Sequence, residues 1–79
     1  MFRNDPEKGL PMEWDAGFTI LVSVEDGQVV VSANAAGLRS LARHLLVLAQ
    51  ETMPVGHRLH LDESNSLEEG SKELIFEKK

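Results

Sequence analysis

Residues 29–46 read VVVSANAAGLRSLARHLL, and the hydrophobic period changes inside this stretch. Up to Ala33 the apolar residues are β-branched and crowded, as in a strand. From Asn34 onward they recur at i, i+3, i+4 and i+7, the spacing of one helical face. A strand therefore ends and a helix begins here, with Asn34 placed to cap the helix. Leu38, Leu41, Ala42, Leu45, Leu48 and Ala49 form the predicted apolar stripe. Arg39, Arg43, Gln50 and Glu51 fall away from it, and His44 is expected on its solvated flank. Gly37 weakens the first turn. Pro54 stops the helix near Thr52, because a proline restricts the residue before it and cannot continue a helix.

Working outward, FTILVSV (18–24) and QVVVSA (28–33) flank Asp26-Gly27, a dipeptide that supplies the positive φ of a tight hairpin turn. HRLHLD (57–62) and KELIFE (72–77) alternate as half-buried strands and bracket a longer polar loop, ESNSLEEGS (63–71), so a second hairpin is predicted. The order is β-β-α-β-β. The economical architecture is α+β: one four-stranded, largely antiparallel sheet with a single helix packed on one face. Its core takes Phe18, Ile20, Val22, Val29, Val31, Leu59, Leu61, Leu74 and Phe76 from the sheet. This domain spans 17–79, and residues 1–16 form an irregular arm with an extended piece near Leu10–Trp14. Trp14, the single tryptophan, is expected to cover an edge of the core.

Seventy-nine residues make one small domain with a modest core. There is no cysteine to cross-link it, bind metal or act as a nucleophile. No apolar run approaches the roughly 20 residues of a membrane span, and the first residues have no apolar signal region. A cytoplasmic protein is expected. The net charge of −5 argues against nucleic acid as a ligand and favours a basic partner.

GHRLHLD (56–62) invites a metal reading that strand parity opposes. His57 and His60 are three residues apart and point to opposite faces. His60 and Asp62 share a face, but with the cation Arg58 and without a third ligand, so no metal site is expected. No nucleophile elbow or phosphate-binding glycine loop occurs, and a sheet with one helix offers little room for a dry cleft. Neither an enzyme nor a cofactor is expected. The sheet face away from the helix is more telling. By parity it carries Leu21, Val30 and Ile75 among Arg58, His60, Asp62 and other polar residues, the composition of a contact surface. Either the arm with Trp14 covers this face or a partner does.

Three segments, GLRSLARHLLVLAQ (37–50), HLD (60–62) and LEEGSKELIFEK (67–78), together resemble the immunity protein 32 family. These are small bacterial proteins predicted to neutralise toxins of polymorphic or contact-dependent systems. The resemblance covers roughly residues 18–78. Where the family's third strand often reads His-x-His-Leu-Asp, this chain has Arg58 at the first histidine, so no role needing two histidines on one face carries over. The resemblance implies a non-enzymatic binder of a cognate toxin. Gly70 is expected at a positive-φ turn, and Leu67 as a plug from the loop into the core. Asp62, Glu63, Glu68 and Glu69, with His60, Arg58, Leu21, Val30 and Ile75, are the candidate partner-binding residues. The alternative is a small homodimer that uses the bare sheet face.

Overall fold

The computed structural model describes residues 13–79. The elements are β1 (Ile20–Glu25), β2 (Gln28–Ala33), α1 (Ala35–Leu48), β3 (Arg58–Leu61) and β4 (Leu74–Glu77). The expected order and the α+β class are present. Asp26 and Gly27 both take positive φ, 53° and 78°. That backbone gives a two-residue turn a twist matching its strands, and the ladder runs from Ile20 opposite Ala33 to Glu25 opposite Gln28.

The four-stranded sheet does not form. β1 pairs with β2 and β3 with β4, as two separate antiparallel sheets. The cause is the segment that leads into β4. The Glu68 amide donates to the Ile20 carbonyl at 2.8 Å and the Lys72 amide to the Val22 carbonyl at 2.9 Å. The Val22 amide donates to Ser71 Oγ at 3.0 Å. These bonds occupy the edge of β1 that a strand of the second hairpin would need. An irregular segment thus satisfies the edge, as buried backbone groups require.

Ile20, Val22, Leu48, Met53, Leu59, Leu61 and Leu67 form the buried core, with Phe18, Leu74 and Phe76 packed against it. Strand parity is therefore as expected for most of the predicted core. Val29 and Val31 depart from it, at 63% and 36% exposed. The first hairpin runs on past the core: Ile20 and Val22 are buried, while Val24 on the same face is 53% exposed.

Asn34 caps α1 and does more besides. Its side-chain oxygen accepts from the Gly37 amide at 2.8 Å and the Thr19 amide at 3.1 Å, and its side-chain nitrogen donates to the Gly17 carbonyl at 2.9 Å. One residue ties the helix start to the entrance of β1. Beyond it the buried helical face is Gly37, Ser40, His44 and Leu48, which is rotated from the predicted stripe. Leu41 and Leu45 are half-buried, whereas Leu38 is 54% exposed. The rotation follows from Gly37, which lets the helix approach β1 and β2 closely. A Cβ there would stand 2.5 Å from the Thr19 carbonyl oxygen and 3.2 Å from Ala33 Cβ. At the other end Lys78 Nζ donates to the Gln50 and Met53 carbonyls at 2.5 and 2.8 Å, which holds the chain just past the helix against β4.

Gly37→Ala is a test of this docking. In a solvent-facing helix turn the change would stabilise by up to about 1 kcal/mol through helix propensity. Here the new methyl meets a backbone carbonyl, so a net loss of about 1–3 kcal/mol is expected in denaturant melts, as for other overpacked sites. A gain in stability would place the helix elsewhere.

Candidate partner-binding surface

The second hairpin orders its outer face in rungs. Arg58 lies opposite Glu77 and His60 opposite Ile75. Asp62 and Glu73 lie just past the last pair, Leu61 with Leu74. Arg58 Nε donates to Glu77 Oε1 at 2.9 Å, so this cation is already engaged along the strand. His60 Nε2 stands 3.8 Å from Asp62 Oδ2 and 3.6 Å from Glu73 Oε1. Sequence parity paired His60 with Asp62; Glu73, brought in from across the hairpin, joins them.

Residues 62–67 fold into a compact turn. The Asp62 carbonyl accepts from the Ser66 and Leu67 amides at 3.0 and 2.9 Å. Asp62 Oδ1 accepts from the Ser64 amide at 2.9 Å and its hydroxyl at 2.7 Å. Asn65 bonds back to the Asp62 amide and the His60 carbonyl. Ser66 and Leu67 are buried, so Leu67 does plug the loop into the core. Glu63 is not a free rim charge: its Oε2 accepts from the Gly70 amide at 2.7 Å, where Gly70 takes the expected positive φ of 90°. Glu68 and Glu69 are exposed. The backbone of Glu68 belongs to the bonds on β1 while its side chain faces water. Asp62, Glu63, Glu68, Glu69 and Glu73 set five carboxylates against one lysine, Lys72, between residues 62 and 73. An open depression of about 420 Å³ lies among Asp62, Glu63, Ser64, Ser71 and Glu73.

Leu21 and Ile75 are 38% and 46% exposed, and Val30 is half-buried. Leu21 and Val30 belong to the first hairpin and Ile75 to the second, so the single sheet expected to carry all three is divided between two. The arm does not bring Trp14 over that face. Trp14 stacks on Phe18 and on His44, with ring centroids 4.8 and 4.3 Å apart, and it covers an edge of the core beside α1. Residues 1–12, most of the expected arm, lie outside the described residues.

His44 was expected on a solvated flank and is 3% exposed. Its Nδ1 bonds the Ser40 carbonyl at 2.7 Å, and Ser40 Oγ accepts from the Asp15 amide at 2.8 Å. The Asp15 carboxylate meets Arg43 at 2.7 Å and Arg39 at 3.2 Å. These guanidiniums, Arg43 first, hold the Asp15 carboxyl below its usual range. Sequence reading passed over this group because its polar members interrupt the leucine pattern. The available signal was Gly37, Ser40 and His44 at spacings of three and four residues.

The Asp62 carboxyl is also held low, chiefly by the Ser64 hydroxyl, with the nearby His60 adding to it. The stabilisation this carries is complete above the unfolded-state value near 3.8 and is lost as pH falls through the lower folded-state value. Ser64→Ala should therefore raise the Asp62 midpoint toward 3.8 in a carboxyl-carbon NMR titration. An unmoved midpoint would show that the hydroxyl does not hold the carboxylate.

A family model described as Immunity protein 32 matches residues 28–79, well over half of the chain and all of it from β2 onward. No curated protein and no solved structure matches it.

Proposed function

The chain belongs to the immunity protein 32 family, and we propose that it neutralises a cognate bacterial toxin by direct protein–protein contact, without catalysis. Membership implies a toxin-neutralising role, and such proteins are generally non-enzymatic. The observation that carries the surface assignment is the 62–73 loop, where carboxylates are concentrated on a backbone tied to β1. A preorganised charged loop loses little freedom on binding, and its charge speeds encounter with a partner of opposite sign. The partner is therefore a basic toxin. Glu68, Glu69 and Asp62 supply charge; Glu63 holds the loop and adds to its field. His60, Arg58 and Ile75 flank the loop on the second hairpin, and Leu21 and Val30 offer apolar contact on the first. Nucleic acid is not the ligand at a net charge of −5. Among the described residues no helix is long and apolar enough to cross a membrane, and a cytoplasmic site of action belongs to the same reading.

A second reading has its own observation. The outer edge of β2, QVVVSA, has no strand partner among the described residues and carries no charge or proline, the devices that normally protect an edge. Pairing of this edge with its copy would make a homodimer. Light scattering across a concentration series separates the two: a monomer throughout removes the dimer, and a dimer broken by Val30→Lys establishes it.

Glu68→Lys with Glu69→Lys should slow association with the cognate toxin and reduce its dependence on salt, since rim charges act mainly on encounter. The fold should be unchanged, because both side chains are exposed. An unaltered association rate, with cells still protected, would remove this loop from the interface.

A further inference from the structure

His60, Asp62 and Glu73 sit on one outer face of the second hairpin. Their ligand-capable atoms all lie within 4.8 Å of one another. The His60 imidazole nitrogen is 3.6 and 3.8 Å from the nearest carboxylate oxygens, too far for hydrogen bonds. A tetrahedral ion with bonds of about 2.0–2.2 Å holds its ligand atoms roughly 3.3–3.6 Å apart. The imidazole nitrogen is thus already close to the required spacing from both oxygens. We propose that His60, Asp62 and Glu73 form a zinc-binding site on this hairpin.

Three features support the site beyond proximity. The first is electrostatic. Along this face Arg58 is neutralised by Glu77, whereas Asp62 and Glu73 lie just past the last pair of the ladder and both approach His60. Among the described residues no lysine or arginine forms an ion pair with either, so their charge is open to a divalent cation. The second is orientation. Both Ser64 donors bind Asp62 Oδ1, which leaves Oδ2 directed at His60. Outer hydrogen bonds of this kind fix metal-ligating carboxylates. The third is donor chemistry. The imidazole separates this group from a pair of solvated carboxylates, since imidazole suits zinc while magnesium and calcium prefer oxygen alone. Three protein ligands leave a coordination position open, next to the depression lined by Glu63, Ser64 and Ser71.

The site reverses the expectation that this strand holds no metal: His60 and Asp62 lacked a third ligand on their own strand, and Glu73 supplies it from across the hairpin. His57 has no part in it, which makes His57→Ala the control. The test is calorimetric titration of tag-free, chelator-stripped full chain with zinc chloride. One zinc ion per chain is expected, with a rise in the thermal midpoint that a chelator reverses. Glu73→Gln and His60→Ala should each abolish the stoichiometric heat. Ser64→Ala should weaken binding about tenfold, as loss of an outer-shell partner does. His57→Ala should change nothing. Glu73 is exposed and Gln is isosteric, so this variant keeps the fold, and its amide NMR spectrum verifies that. The proposal is overturned by no stoichiometric binding at free zinc up to about 100 µM. Binding that persists in Glu73→Gln, or that is lost in His57→Ala, also overturns it.

Discussion

The bonds from residues 68–72 to the edge of β1 hold this small fold together. Each hairpin alone is two strands with one apolar face, an arrangement only marginally stable in water. The helix covers part of that apolar surface but is anchored chiefly to the first hairpin through Asn34 and the close approach at Gly37. The second hairpin joins through the Glu68 and Lys72 amides on the Ile20 and Val22 carbonyls. Leu67, buried immediately before this segment, adds apolar contact. Lys78 completes the closure by binding carbonyls just past the helix. The loop that looks most like surface in composition is thus where the two halves meet.

What was legible in the sequence is what short-range chemistry decides. Asp26-Gly27 fixes a turn, Asn34 a cap and Gly70 a positive-φ position, each through its own side chain or lack of one; the helix itself stops at Leu48, short of the limit near Thr52 expected from Pro54. Strand parity placed Leu59, Leu61 and Phe76 inward and His60 and Ile75 outward. The helix rotation was not legible, because it depends on which helical face can approach β1. Gly37 decides that, and its reason is the Thr19 carbonyl, eighteen residues away in the chain. Counting leucines favours a face containing Leu38; close approach favours the face containing Gly37, Ser40 and His44. Of the buried polar atoms, Ser40 Oγ and His44 Nδ1 each have a hydrogen-bonded partner, whereas His44 Nε2 and Trp14 Nε1 have none among the described residues.

The candidate surface divides the same way. That the 62–73 loop is acidic can be read directly. That Glu63 is committed to the Gly70 amide, and Arg58 to Glu77, depends on loop closure and strand register. Register across a long connection is not set by the turn itself. Glu73 beside His60 is a result of that register, which pairs His60 with Ile75 and Leu61 with Leu74 and so brings the residue before Leu74 close to the imidazole. A pairing with another register would separate them, so the His60, Asp62 and Glu73 group reports on how the hairpin closes.

This arrangement separates two demands that usually conflict. In the 68–72 segment the fold uses the amides of Glu68 and Lys72 and the hydroxyl of Ser71, and the side chains of Glu68 and Glu69 point into water. Any residue except proline can supply an amide. The charge at positions 68 and 69 can therefore change without disturbing the bonds on β1, whereas Ser71 and the positive-φ position at Gly70 are constrained. Specificity for one partner over another is a difference in affinities, set by favourable contacts and by repulsion of the wrong partner. A loop whose backbone carries the fold while its side chains remain free can be tuned for such differences at little cost in stability. In the proposed toxin-binding role, that division between backbone and side chain leaves the contact residues free to change while the fold is kept.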